Sequence, residues 1–475
     1  MEENKYIDPN NNKGKSPKTV LLIGGAVAIL AVLSFLPWDE WTNGKISNFS
    51  LIQDIKSSVA DTNDIDTEDA ADIDPALLAA MNDSSSTSAS TSVSTNSSQL
   101  NDTIVPQPIP NKEGEMVIIE DYTEGSRGLS RLKAAINSPK LARIAVIGDS
   151  YIEGDIMTQN LRENLQKAYG GNGVGYVNMY SEFPGFRRSV KQSGSGWTEH
   201  AASKKGDKKY LALSEHYYTP KGSNATAGYK GVKALSNLDR WQKSQLLFIA
   251  PQSTTINIRT NGKEWTEHSV AGSPSVQAIV INEPTDNFEV KSSDPSTVFL
   301  GTWLDGNNGI SVDCMSSRGY SGITLTSVSA DLCREMAKYV DYDLIILEFG
   351  INAMSAKQKD YSVYASRLEK VVNHVRKCYP NADILLMGIG DRGEKRNGEI
   401  HSMTSVSYMI DAQRTAARNA RCLFWDTREA MGGEDAIVKW SKTGLANKDY
   451  IHLTHKGGAK LAEPLFNAIQ KMLAK

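Results

Sequence analysis

Ser150 closes the short sequence Gly148-Asp149-Ser150, directly after the apolar run 144–147 and ahead of a helix-patterned segment. A serine delivered at the end of a buried strand is lifted on a tight turn into a cleft. There its hydroxyl can attack a carbonyl while a neighbouring backbone amide faces the oxyanion. Such an attack also needs a base held by a carboxylate. Asp449-Tyr450-Ile451-His452 supplies that pair on a loop opening a helix, so Asp449 can hold one ring nitrogen of His452 while the other faces a serine. His455 is a rival base with no carboxylate at equivalent spacing, and His200, His216, His268, His374 and His401 read as structural or surface residues. Oxyanion donors have two sources. One is the Asn352 amide in Gly350-Ile351-Asn352, after an apolar run; the other is the loop Ser317-Arg318-Gly319-Tyr320-Ser321-Gly322, where Gly319 and Gly322 are both candidate amides.

These residues can meet only if the elements before them share an edge. Short apolar runs at 143–147, 343–348, 383–387 and 421–425 read as strands covered on both faces. Between them lie helical patterns: 155–169, with Leu161, Leu165 and Ala168 on one face, and the series Tyr364, Leu368, Val371, Val372 and Val375, which Pro380 stops. Residues 457–473 read as a closing helix. The alternation predicts an α/β fold with a parallel sheet, in which strand ends open on one rim. The rhythm breaks over 181–299, a stretch rich in Gly, Ser, Thr and Lys with alternating runs at 255–258 and 278–281. It predicts an inserted all-β, sandwich-like domain whose Trp197, Tyr217, Tyr218, Tyr229, Trp241 and Trp265 serve mainly as core. The glycine-rich run 170–175 follows a helix and lacks Gly-Lys-Ser/Thr, which excludes a phosphate loop.

Bulk properties narrow the partners. The 475-residue chain carries 52 Lys and Arg against 55 Asp and Glu and shows no basic face, so nucleic acid is not an expected partner. Cys314, Cys333, Cys378 and Cys422 have no Cys-x-x-Cys spacing, which argues against a disulfide scaffold and structural zinc; Cys378 and Cys422 lie near neighbouring strands and could pair. Residues 20–38 carry no charge, follow Lys13, Lys15 and Lys18, and precede Asp39 and Glu40. A helix of that length spans ~28 Å, close to the thickness of a bilayer core. The charge asymmetry keeps the N-terminus inside and exports the rest. We therefore expect a cytoplasmic tail at 1–18, a single transmembrane helix at 19–38 and a disordered, flexible linker at 39–112, rich in acidic residues and then in Ser and Thr.

Taken together, Gly148-Asp149-Ser150, Gly319, Gly350-Ile351-Asn352 and Asp449 to His452 stand in the order found in the SGNH (GDSL-like) hydrolases, which this chain resembles. The resemblance covers 117–181 and 301–475 and is nearer still to bacterial peptidoglycan O-acetylesterases with an inserted module resembling a carbohydrate-binding domain. It is carried by Gly148-Asp149-Ser150-Tyr151-Ile152-Glu153-Gly154-Asp155, by the glycine run before Tyr176, and by Ala430-Met431-Gly432-Gly433 and Gly444-Leu445-Ala446. The family often has an acidic residue after Gly-x-Asn, where this chain has Ala353. The resemblance implies a three-layer α/β/α hydrolase domain at 113–180 and 300–475, with a β insertion at 181–299. It implies Ser150, Asp449 and His452 as the triad and Ser150, Gly319 and Asn352 as the oxyanion hole, with no metal or organic cofactor. The expected substrate is an acetylated glycan, foremost peptidoglycan. The expected location is a bacterial inner membrane with the catalytic domain in the periplasm. Transfer of acetyl, another acetylated polysaccharide, and a non-catalytic wall-binding role are the competing expectations.

Overall fold

In the computed structural model, residues 116–475 are described. The expected tail, membrane span and linker all lie outside them. Among the described residues no helix is long and apolar enough to cross a membrane.

Six strands build the central sheet: β1 (Glu120–Asp121), β2 (Ala142–Gly148), β3 (Ile310–Ser316), β4 (Leu344–Glu348), β5 (Asp383–Met387) and β6 (Leu423–Trp425), in the order β1-β6-β5-β4-β2-β3. All neighbours run parallel except β1, which pairs antiparallel with β6. Every residue of β2 and β4 is buried, as continuous apolar runs between two helix layers require. The principal helices are α1 (Ser130–Ile136), α2 (Thr158–Tyr169), α3 (Ala330–Met336), α4 (Ser362–Cys378), α5 (Ser405–Asn419) and α6 (His455–Leu473). Helix α2 packs on α6, and α3, α4 and α5 form a second packed group. This is the α/β fold with a largely parallel sheet that the alternation of strands and helices predicts.

Local chemistry moved several boundaries. Helix α2 starts at Thr158 because Gly154 (φ +67°) and Asp155 (φ +66°) form a left-handed turn ahead of it. Helix α6 starts at His455, where the Thr454 side chain caps it by accepting from the Gly457 amide at 3.2 Å. Strand β3 was not expected from the sequence, because Ser311 and Asp313 interrupt its apolar run, yet both are buried.

Between α2 and β3, antiparallel strands run from Gly173–Val177 to Val298–Asp305, and these two strands pair with each other. They belong to two sheets. One contains Val190–Ser195, Ala225–Gly231, Thr254–Thr260, Thr266–Val270 and Asn287–Ser292; the other contains Trp197–Ala201, His216–Pro220, Lys243–Ile249, Gln277–Ile281 and Val298–Asp305. Side chains of both sheets, among them Tyr229 and Phe288 from one and Tyr218 and Phe299 from the other, share one apolar core. Five of the six aromatic residues singled out above are buried. The sixth, Trp265, is half-buried, with the Arg259 guanidinium 4.6 Å and the Lys291 ammonium 4.1 Å from its ring centre.

A buried charge cluster joins these strands to the central sheet. Arg143, inside β2, donates to Asp305 Oδ2 at 2.6 Å and to Asp313 Oδ1 at 3.1 Å. Asp313 Oδ2 also accepts from Trp303 Nε1 and Tyr342 Oη, each at 2.8 Å. Burial alone would lower the Arg143 pKa, but Asp305 and Asp313 outweigh it and keep the guanidinium charged. The four thiols are free and buried. Cys378 lies against Cys333, not Cys422, because α4 packs on α3.

Candidate active site

Three adjacent strands, in the order β4-β2-β3, deliver the Ser150 turn and the loops carrying Gly319 and Asn352 to one rim. The turn after β2 is bracketed on both sides. The Asp149 amide donates to the Glu348 carbonyl at 3.3 Å, and the Ser317 amide donates to the Gly148 carbonyl at 2.9 Å. Only glycine fits at 148, since a Cβ there would stand 2.5 Å from the Glu348 carbonyl oxygen.

The histidine arrives from the opposite end of the chain. Ala446 and Leu453 form an isolated antiparallel bridge, and the Asn447 amide donates to the His452 carbonyl at 2.8 Å, closing a tight loop. Inside it, Asp449 Oδ1 accepts from the amides of Ile451 (2.9 Å) and His452 (3.0 Å), an Asx-type turn. Its Oδ2 is left for His452 Nδ1, 2.8 Å away. His452 Nε2 lies 2.8 Å from Ser150 Oγ. With Nδ1–H donating to the carboxylate, neutral His452 has its Nε2 lone pair free to accept the serine proton. Burial pushes the Asp449 pKa up, but the hydrogen bonds from His452 and the two amides more than offset it and hold the carboxyl below its ordinary value. His455 does not reach the serine; its Nδ1 lies 3.0 Å from Gln159 Nε2.

Asn352 sits in the turn Ile351–Ala353 after β4. Its Nδ2 donates to Asp149 Oδ2 at 2.9 Å and to the Tyr320 carbonyl at 3.0 Å. Both amide hydrogens are thus engaged, and an oxyanion must share or displace one of these acceptors. The amides of Ser150 and Gly319 donate to no other described residue and are available to an oxyanion. Asp149, in the motif itself, is the group that orients Asn352, a role its spacing does not reveal.

Asp149 is fully buried, and burial raises its pKa to about 7, against hydrogen bonds from the Tyr151 amide and Asn352 and the field of His452. Beside it the Glu348 carboxyl has no hydrogen-bond partner among the described residues. Burial, reinforced by Asp149, pushes the Glu348 pKa well above the carboxylate range and favours its neutral form. Burial thus disfavours a second negative charge on the floor under the serine, next to where an imidazolium would form. Asn352→Ala should lower kcat about 10²–10³-fold with little change in KM, measured on a small acetyl ester.

These groups open on a cleft of about 680 Å³ lined by Ser150, Ile156, Phe186, Asn447, His452 and Leu453, with charged residues considered below. Among the described residues, no group of three or more His, Cys, Asp or Glu is placed to hold a metal.

With this geometry, known proteins supply the class. Residues 284–460 match the sequence model of the GDSL-like Lipase/Acylhydrolase family, a span that includes Gly319, Asn352, Asp449 and His452 and begins after Ser150. Over that span the chain resembles the GDSL-like hydrolases in sequence. Among solved structures it is similar to a peptidoglycan O-acetylesterase, with a TM-score of 0.62 and 23% identity over 75% of this chain and 99% of that one. A family two carbohydrate esterase from Cellvibrio japonicus aligns far more loosely, with a TM-score of 0.25 and 10% identity over 60% of this chain and 98% of that one. Likeness at these identities concerns the fold. No curated protein sequence matches the chain.

Proposed function

We propose that this chain is a serine esterase that removes O-acetyl groups from a cell-wall glycan, specifically from muramoyl residues of peptidoglycan. The observation that carries the reading is the relay from Ser150 Oγ to His452 Nε2 and from His452 Nδ1 to Asp449 Oδ2, each step 2.8 Å, on the edge of an open cleft. Ser150 Oγ attacks the acetyl carbonyl as His452 Nε2 takes its proton. The amides of Ser150 and Gly319, with Asn352, hold the oxyanion. His452 then returns the proton to the sugar oxygen, which leaves as an alcohol. Water, deprotonated by His452, releases acetate from Ser150 and restores the site. The serine proton moves between two side chains already in contact.

Two features support the glycan. One is the similarity in fold to a peptidoglycan O-acetylesterase along nearly that whole chain. The other comes from sequence: the uncharged run 20–38 would hold the domain at the outer face of a bacterial inner membrane, where acetylated wall is at hand. Incubating the chain with O-acetylated peptidoglycan should release acetate. Release no greater than that of Ser150→Ala would overturn the reading, and recovery of acetyl on an added sugar acceptor would make the chain a transferase.

A further inference from the structure

The charged residues of the cleft are unevenly matched. Arg188, Arg318 and Lys456 line it, and among the described residues the only carboxylate lining it is Asp449, which His452 already occupies. Arg318 is committed to Glu153, 2.7 Å from its Nε. The side chains of Arg188 and Lys456 form no hydrogen bond or ion pair with the described residues. A concave surface carrying unpaired charges of one sign concentrates potential for a ligand of the other.

Arg188 is held in place by its neighbours. On one side the Arg187 guanidinium donates to the carbonyls of Tyr176 (2.8 Å) and Val174 (3.1 Å). On the other, Ser189 Oγ donates to Asp155 Oδ2 at 2.6 Å. Asp155 is itself clamped by Arg162, 2.6 and 3.0 Å from its two oxygens, so the segment is rooted on α2. The same segment offers the Phe186 ring, 40% exposed, over Gly154, where a Cβ would stand 2.6 Å from it. Across the cleft, in the first turn of α6, His455 precedes Lys456, its ring centre 6.3 Å from that of Phe186. Because Gln159 Nε2 can only donate, His455 Nδ1 accepts and the neutral ring bears its proton on Nε2. Burial, together with Arg188, lowers the His455 pKa and favours that neutral form.

We propose that Phe186, Arg188, His455 and Lys456 form a subsite for a sugar bearing a carboxylate beside the acetyl ester, so that the substrate class is an acidic acetylated glycan; this rests on the esterase reading above. The aromatic face takes the apolar side of the ring, His455 takes a hydroxyl, and the two cations take the carboxylate. Arginine matches the two oxygens of that group with parallel donors. The carboxylate can come from a lactyl or peptide substituent, as on a muramoyl residue, or from a uronic acid.

The test separates these sources and separates the subsite from the chemistry. Binding is measured by calorimetry in the Ser150→Ala background, with O-acetylated peptidoglycan strands, acetylated polygalacturonate and neutral acetylated glucomannan. At least one acidic glycan should bind more tightly than the neutral one. Arg188→Gln with Lys456→Gln should weaken that binding about tenfold, and raising salt from about 50 to about 300 mM should erode it. Equal affinity for the neutral glycan, or an affinity unmoved by the double substitution, overturns the subsite. Acetate release by the unaltered chain reports the other reading independently. Release from all three glycans at equal efficiency removes the subsite and keeps the esterase, whereas release from none removes the esterase.

Discussion

Ser150→Ala and His452→Ala are each expected to lower kcat for acetyl-ester hydrolysis about 10⁶-fold, and the double variant should be no slower than either single one. The two side chains act as one device. The hydroxyl is a nucleophile only while Nε2 accepts its proton, across 2.8 Å, so removing either partner removes the same step. Asp449→Ala should cost less, about 10⁴-fold. The imidazole then loses the acceptor that fixes its tautomer, but Asp449 is 32% exposed and water can partly replace it at Nδ1. Steady-state kinetics on a small acetyl ester, with active-site titration by a serine-directed probe, decide the matter. Losses that multiply between Ser150 and His452, or a loss below a hundredfold for either, would break the assignment. Asp449→Ala should also lose the Asx turn, so some of its cost should reflect a displaced His452.

The largest expected loss of stability comes from Arg143. Arg143→Ala leaves Asp305 and Asp313 facing each other with no cation, both fully buried. Removing one member of a buried ion cluster costs about 3–5 kcal/mol, because the abandoned charges stay desolvated. The loss should fall on the join between β2, β3 and Val298–Asp305, since the cluster links these three strands. Urea unfolding followed by tryptophan fluorescence is suited to this, as Trp303 donates to Asp313 itself. Arg143→Met combined with Asp305→Asn and Asp313→Asn should recover part of the loss by taking away the charges as well. A single variant as stable as the parent chain would show that the cluster is solvated or neutral.

The fold was legible where burial and periodicity agree. Strand β5 runs over the residues its apolar run marks, and β2 and β4 differ from expectation only at their ends. Strand β6 begins two residues later than its run, because Arg421 takes a left-handed turn (φ +50°) before it. Strand β3 escaped notice for a different reason. Polarity marks a strand as half-exposed only when its polar side chains meet water, and Asp313 and Ser311 meet Arg143 instead. The same limit hid Arg188 and Lys456, which look like any surface cation until the cleft sets them against a single occupied carboxylate.

By itself the sequence determined the parts with local causes: the strand that carries Ser150, the Asp-x-x-His turn that pre-pairs Asp449 with His452, and the order of the motifs along the chain. Those depend on residues a few positions apart, where spacing translates directly into geometry. The tertiary structure alone decided what depends on distant contact. It brings His452 to a serine 302 residues away and places Asp149 against the Asn352 amide across 203. Among the described residues it also leaves Glu348 buried without a hydrogen-bond partner and decides which cations stay unpaired. Desolvation and charge pairing are properties of neighbours in space, and no pattern along a single chain records them.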